Sequence, residues 1–256
     1  EGIEIGGEPV GLITYMRTDS VRISDDAQAA AKDFITDSYG ENYYPKTPNN
    51  YVKGKGKNVQ DAHEAIRPSY IEKTPDSIKQ YLTSEQYRLY KLIWSRFIAS
   101  QMENAKVKNT SVDITADDYL FKTGTSKVIF DGFLKVYNEN DDEPDSAKIP
   151  DLEQGDELKL QKIEPKQHFT QPPPRFTEAS LVKALEEHGI GRPSTYAPII
   201  SKIQQKGYVE KLEKALAPTI LGRTLCRELI KYFTDIMNYK FTAQMETKLD
   251  DIAEEK

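Results

Sequence analysis

The chain has 256 residues, of which 38% are hydrophobic and 30% charged, enough for two or more domains with cores of ordinary size. No apolar run approaches the length of a membrane span, no Cys/His spacing suggests zinc, and the single Cys226 excludes an internal disulfide. The net charge of −6 argues against a polyanionic partner only until it is mapped: between Glu139 and Glu157 nine acids face one lysine, a local −8, leaving +2 for the rest.

Glu1-Gly2-Ile3-Glu4-Ile5 has the character of mid-protein sequence, so an excised fragment is expected. The first residues carry no signal-peptide pattern, and cytoplasmic residence is the default expectation. Val10–Thr14 reads as a short extended run that ends in Tyr15, within Gly11-Leu12-Ile13-Thr14-Tyr15-Met16-Arg17-Thr18-Asp19-Ser20. In an extended chain alternation puts Tyr15 and Arg17 on one side. A phenol is a poor nucleophile at neutral pH, and a guanidinium beside it can stabilise the phenolate and grip a phosphate oxygen. A half-buried packing tyrosine is the plainer alternative from the residues alone.

Ser24 has the look of an N-cap, with Asp25 and Asp26 where the helix dipole favours acids; Ala27, Ala30, Ala31, Phe34 and Ile35 follow helical spacing to Tyr39, and Gly40 would close the helix as a left-handed cap. Residues 41–59 read as loop, with Lys53-Gly54-Lys55-Gly56-Lys57 either a solvated tip or a phosphate contact. His63 follows, beside Glu64. Thr83-Ser84-Glu85-Gln86 fits a capping box, opening a helix whose apolar face would be Leu89, Tyr90, Ile93, Trp94, Phe97 and Ile98. From Val107 to Pro165 the period changes to strands: 111–115, 119–122, 127–130, 133–137 and 157–163.

Pro172-Pro173-Pro174 is a stiff connector. Beyond it, Thr177 caps a helix with Leu181, Val182 and Leu185 inward, Gly189-Ile190-Gly191 turns the chain, and a second helix starts near Ser194 or Thr195. Gly207 ends that helix and Tyr208-Val209 begins a strand, the order of a helix-turn-helix or winged helix. Arg192, Ser194 and Thr195 at a helix start can bind an anion, or the hydroxyls can merely cap. Two further helices, one capped by Thr219 with Ile220, Leu221, Leu225, Leu229 and Ile230 inward, one with Met245, Leu249 and Ile252 on one face, close the chain.

Four stretches in order resemble the type IA DNA topoisomerases: Gly11–Ser20; Gln60-Asp61-Ala62-His63-Glu64-Ala65-Ile66-Arg67-Pro68; Pro173–Val182 running on to Gly191-Arg192-Pro193-Ser194-Thr195-Tyr196; and Phe241-Thr242-Ala243-Gln244-Met245-Glu246. The resemblance implies a fold of α+β class, with helical, winged-helix-like modules flanking a β-rich middle. Residues 1–102 would form the helical active-site domain, 103–176 a β-rich linking domain, and 177–256 a helical single-strand DNA-binding domain.

It further implies transient cleavage of single-stranded DNA through a 5′-phosphotyrosine, with strand passage and religation relaxing negative supercoils. Tyr15 would be the nucleophile and Arg17 would hold the phosphate, supported by Thr14, Asp19, His63 and Arg67. Arg192, Ser194, Thr195, Tyr196 and Lys206 would contact DNA. Magnesium and a general acid belong in such enzymes to an N-terminal Toprim domain. No Asp-x-Asp motif after a strand stands for it here, so no bound metal and no activity of the fragment alone are expected, and the zinc-ribbon tail of bacterial members is likewise not seen. The expected partner is single-stranded DNA within negatively supercoiled DNA, bound by a monomer away from any membrane. A winged-helix regulator reading duplex DNA, or a scaffold without a nucleic-acid role, are the competing classes.

Overall fold

The structure is a computed structural model that describes residues 2–16, 20–51, 64–138, 149–150 and 152–253. These fall into two compact units, Glu1–Leu160 and Gln161–Lys256. The chain is of mixed α and β type, with small two-stranded sheets among helices. The dividing point lies inside the span read as a β-rich linking domain.

The first unit opens with a hairpin, β1 (Ile3–Ile5) and β2 (Glu8–Val10), whose two turn residues Gly6 and Gly7 have φ of 67° and 88°. That turn needs positive φ at both central positions, which glycine adopts without cost from a Cβ. Helix α1 (Asp25–Tyr39) buries Ala27, Ala31 and Ile35 with Phe34 half-buried, while Ala30, expected inward, is exposed. It ends at Gly40, whose N–H donates to the Thr36 carbonyl, but at φ 102° and ψ 158° the glycine does not take the left-handed cap conformation expected. A one-turn helix α2 (Pro75–Ile78) precedes α3 (Ser84–Gln101). The capping box is present: Thr83 accepts from the Gln86 N–H, and the Gln86 side chain accepts from Thr83 N.

α3 contributes more residues to the core than any other element. Tyr90, Trp94, Phe97 and Ile98 pack with Leu12, Ile35, Ile71 and Met102. Trp94 Nε1 donates to the Ile71 carbonyl at 3.0 Å and the Tyr90 hydroxyl to the Lys73 carbonyl at 2.7 Å. Burial, with Glu72 adding to it, pushes the Tyr90 phenol up to about 12. Leu89, expected inward, is 57% exposed, because the buried stripe is centred on Trp94 and Leu89 lies a hundred degrees round the helix from Tyr90.

The strands expected at 111–115, 119–122 and 127–130 are parts of one long hairpin, β3 (Lys106–Ala116) with β4 (Tyr119–Phe130). Pairing continues through Gly124 and Thr125 because glycine opposite Ser111 still fits the ladder, and Ser126 Oγ donates to Asn109 Oδ1 at 2.7 Å. Residues 133–137 are a short helical turn, not a strand. Gly132, at φ 50°, brings its Cα against the Glu103–Ala105 backbone, where any Cβ would lie 2.5 Å from the Glu103 oxygen. The turn then seats Phe133 and Val136 on the core. Residues 157–163 form no strand either: the run from 153 to 175 is exposed and belongs to no strand pair among the described residues, so alternation alone did not make a sheet.

The second unit has helix α4 (Glu178–Glu187), helix α5 (Tyr196–Gln205), the hairpin β5 (Val209–Leu212) with β6 (Ala215–Pro218), and helices α6 (Ile220–Tyr232) and α7 (Tyr239–Ala253). This is the expected winged-helix order with the second strand of the wing supplied by β6. Thr177 caps α4 through Ser180, and Leu216 N donates to the Phe176 carbonyl at 2.7 Å, tying the wing to the start of α4. The core is small: Ile200, Leu216 and Ala217 are buried, with Leu181, Val182, Leu185, Ile199 and Ile203 half-buried beside them in sequence or space.

Helix α6 corrects the sequence reading. Its cap is as expected, Thr219 accepting from Gly222 N, but none of its residues is buried and Ile220 is 77% exposed. Met245, Leu249 and Ile252 of α7 are also exposed. An apolar stripe at helical spacing identified the helices and not their partners.

Candidate nucleic-acid and cleavage site

The segment before Tyr15 is fixed by a partner far along the chain. Ser69 N donates to the Leu12 carbonyl and Thr14 N to the Arg67 carbonyl, both at 2.9 Å, with Ile13 bridged antiparallel to Pro68. The Thr14 hydroxyl donates to the Ala65 carbonyl at 2.8 Å and accepts from Arg67 N at 3.0 Å. On its other side the 64–68 segment is held by Ala65 N donating to the Arg22 carbonyl at 2.8 Å. Two of the sequence motifs are thereby brought together, and Tyr15 follows the last pinned residue with its side chain 74% exposed.

Arg67 sits within this joint. Its Nε and Nη2 reach Glu64 Oε2 at 3.0 and 2.7 Å, Nη1 reaches the Pro68 carbonyl at 3.1 Å, and Nη2 reaches Ser24 Oγ at 3.4 Å. The guanidinium is spent on local structure, holding the turn that carries Ala65 and Arg67 against Thr14. This also explains why Ser24 begins α1 without capping it through its side chain. Arg17, Asp19 and His63 lie outside the described residues, as does the Lys53–Lys57 tip.

Beneath the 64–66 segment is a cavity of about 400 Å³, lined among others by Ile23, Tyr51, Ala65, Ile66, Arg96 and Tyr137, with the Arg96 guanidinium 5.0 Å from the Tyr137 ring centre. Arg22 was not singled out from sequence. Its Nε is buried and makes no hydrogen bond among the described residues. An arginine two residues after the Thr18-Asp19-Ser20 stretch was the available signal, and it is a weak one.

In the second unit the third and fourth motifs also meet. Gly191 N donates to both carboxylate oxygens of Glu246 at 2.9 Å. Arg192 Nη1 donates to Glu246 Oε2 at 2.7 Å and to the Gly191 carbonyl at 2.6 Å, and Nη2 donates to Asp250 Oδ2 at 2.5 Å. The hydrogen bond that Arg192 donates to Asp250 leads the effects that raise the Arg192 pKa, against an opposing cost of burial. Gly191 has φ of 83°, and a Cβ there would meet the Tyr196 ring at 2.8 Å, so the turn requires glycine twice over.

Thr195 Oγ1 accepts from Arg192 N at 2.8 Å, and the N–H groups of Thr195 and Tyr196 both go to the Arg192 carbonyl at 2.8 and 3.1 Å. Those donors at the start of α5 are therefore already engaged. Ser194 is exposed, Tyr196 is half-buried with its phenol pKa raised by that burial first and by Glu186 next, and Lys206 is exposed at the end of α5. Glu246 and Asp250 were missed as individual residues. Two acids spaced i, i+4 on a helix, where each can reach one basic group, were the signal that could have found them.

A model of the DNA topoisomerase family matches residues 8–256. The chain belongs to the type IA DNA topoisomerases. Among solved structures, full-length topoisomerase I from Thermotoga maritima matches all of this chain with a TM-score of 0.80 and 38% sequence identity. The chain spans 41% of the length of that topoisomerase. No helix among the described residues is long and apolar enough to cross a membrane. Among the described residues no three His, Cys, Asp or Glu side chains converge.

Proposed function

We propose that this chain supplies the attacking tyrosine and part of the single-strand path of a topoisomerase that relaxes negatively supercoiled DNA. The observation that carries the reading is Tyr15 itself, exposed directly after a residue that three hydrogen bonds pin to the 65–67 segment. A nucleophile on a held backbone and open to solvent can meet a strand without giving up further chain entropy.

In the proposed reaction Tyr15 gives up its phenol proton and its oxygen attacks the phosphorus of a phosphodiester; the bond to the 3′ oxygen breaks, and that oxygen takes up a proton and leaves as a hydroxyl, so no net proton is consumed. The 5′ phosphate stays on Tyr15. After strand passage the 3′ hydroxyl attacks the phosphotyrosine and restores both groups, so the bond energy is conserved and no ATP is consumed. Arg17 stabilises charge on the phosphorane, with Asp19 and His63 in support, while Thr14 and Arg67 hold the segment. Ser194, Thr195, Tyr196, Arg192 and Lys206 guide the strand. Proton delivery and metal binding are assigned to a Toprim domain, and the setting is chromosomal DNA in the cytoplasm, acted on by a monomer.

The test is fluorescence anisotropy of a labelled single strand and of its duplex, titrated with the chain at two salt concentrations. Tighter, salt-sensitive binding of the single strand is expected. Preference for the duplex would favour a winged-helix regulator, a reading to which the β5–β6 wing lends its outline. In a protein that also carries the Toprim domain, a 3′-labelled strand should become covalently attached with Tyr15 and not with Tyr15→Phe.

A further inference from the structure

The two acids that hold Arg192 are not equivalent. Glu246 accepts from the Gly191 backbone and from the guanidinium, so removing it releases the loop. Among the described residues Asp250 accepts from Arg192 Nη2 and from no backbone N–H outside its own helix. The ion pair is open to solvent on both sides, with Arg192 35% and Asp250 34% exposed. A guanidinium presents a planar fork that takes a carboxylate or a phosphate in the same geometry. Asp250 therefore occupies the place on Arg192 that an oxygen of a backbone phosphate would take.

Building on the strand-binding reading above, the geometry points to Asp250 as an internal stand-in for a nucleic-acid phosphate, exchanged for DNA when the strand arrives, with Glu246 as the positioning residue that keeps Arg192 aimed during the exchange. A partly exposed ion pair is weak, so its exchange for a phosphate is feasible where that of a buried pair would not be. The arrangement also keeps Arg192 from wandering before DNA arrives. Its charge is masked until a stronger acceptor with the right spacing displaces Asp250, which disfavours loosely placed anions and favours a strand already aligned with Ser194 and Thr195.

The experiment is salt-dependent anisotropy of a labelled single strand with the 256-residue chain and its variants, folding of each checked by circular dichroism. Asp250→Asn is expected to tighten binding roughly fivefold at low salt. It should also steepen the dependence of log K on log salt by up to about 0.7. Asp251→Asn makes the same change in net charge one residue away and should shift affinity by less than about twofold. Glu246→Ala should weaken binding several-fold and Glu246→Gln, which keeps an acceptor for Gly191 N, should restore part of it. In an Arg192→Ala background, Asp250→Asn should do nothing.

Equal effects of Asp250→Asn and Asp251→Asn, while Arg192→Ala still weakens binding, would overturn the exchange and leave only bulk charge. Weaker binding with Asp250→Asn would overturn it as well, by making Asp250 part of the scaffold. If Arg192→Ala binds as the native chain does, or the native chain binds no single strand, the strand-binding reading itself fails and this inference falls with it.

Discussion

The hydroxyl of Thr14 accepts the amide proton of Arg67 at 3.0 Å, a contact across fifty-three positions of sequence that joins the residue before Tyr15 to the segment following His63. Thr14 is thus a structural joint as well as a neighbour of the proposed nucleophile. Thr14→Val removes the hydroxyl while keeping the shape, and leaves the Ala65 carbonyl and Arg67 N–H without their partner. The first unit should lose about 1–2 kcal/mol in urea denaturation, with Thr14→Ser recovering most of it. A loss below a few tenths of a kcal/mol would mean that water replaces the hydroxyl.

Arg67 predicts a failure of conservative replacement. Its fork reaches Glu64, the Pro68 carbonyl and Ser24 together, and its side chain is only 15% exposed. Lysine keeps the charge but cannot make these contacts at once. Arg67→Lys should cost about 1–3 kcal/mol of unfolding free energy, nearly as much as Arg67→Met. Parity of Arg67→Lys with the native chain would show that charge alone matters there.

Among the described glycines of the second unit, Gly222 has the least room for a side chain. A Cβ built there would stand 2.0 Å from the Tyr208 oxygen, beside the hydrogen bonds that Thr219 makes to Gly207 and Tyr208. Gly222→Ala must push α6 away from the end of α5 and should destabilise the second unit by about 2–3 kcal/mol. Gly11→Ala, which meets nothing within 4 Å, should change stability by less than about 0.5 kcal/mol. Thermal denaturation of the two variants side by side separates a packing effect from the general effect of alanine.

The pair Tyr43 and Asp131 gives a pH dependence with a definite sign. The Tyr43 hydroxyl donates to Asp131 Oδ1 at 2.7 Å, and this bond, opposed by burial and aided by Lys135, holds the Asp131 carboxyl below its ordinary value of 3.8. A depressed carboxyl stabilises the fold above the unfolded value and loses that effect as pH falls through the folded one. The same bond leads the effects that raise the Tyr43 phenol above 10.0, so on the alkaline side stability is lost as pH rises through that higher value. Tyr43→Phe should therefore be less stable than the native chain at neutral pH, with the gap closing below Asp131's folded value. A gap that stays constant into strong acid would show that Asp131 does not titrate through this bond.

Legibility followed the range of the interactions. The Thr83–Gln86 box and the Thr177 and Thr219 caps depend on residues within four positions, and each formed as read; α1 does end at Gly40, though not in the left-handed conformation expected. Gln86 needs nothing distant to reach Thr83. Ser24 was placed correctly but its hydroxyl was claimed by Arg67, forty-three positions away, which no local pattern registers. Residues 157–163 alternate like a strand, yet a strand exists only where a second one pairs with it. The apolar faces of α6 and α7 were visible while the absence of anything buried on α6 was not. At the site, the motifs identified which stretches matter, but their meetings, Thr14 with Arg67 and Arg192 with Glu246, are tertiary facts. Glu246 was quoted within a motif and given no task; its task appears only when Gly191 is found donating to it.

The antiparallel pairing of Leu12–Thr14 with Arg67–Ser69 has a mechanical meaning on the proposed reading. A DNA end attached to Tyr15 would pull on the protein at that one residue while the other strand passes. The load would enter the backbone at Thr14 and run at once into a neighbouring stretch of chain through hydrogen bonds that lie across its path. Tension along the Leu12–Thr14 axis would strain those bonds together in shear, whereas a sideways pull would open them one after another from the Thr14 end. The joint is thus a mooring whose holding strength depends on the direction in which the tethered DNA leaves it.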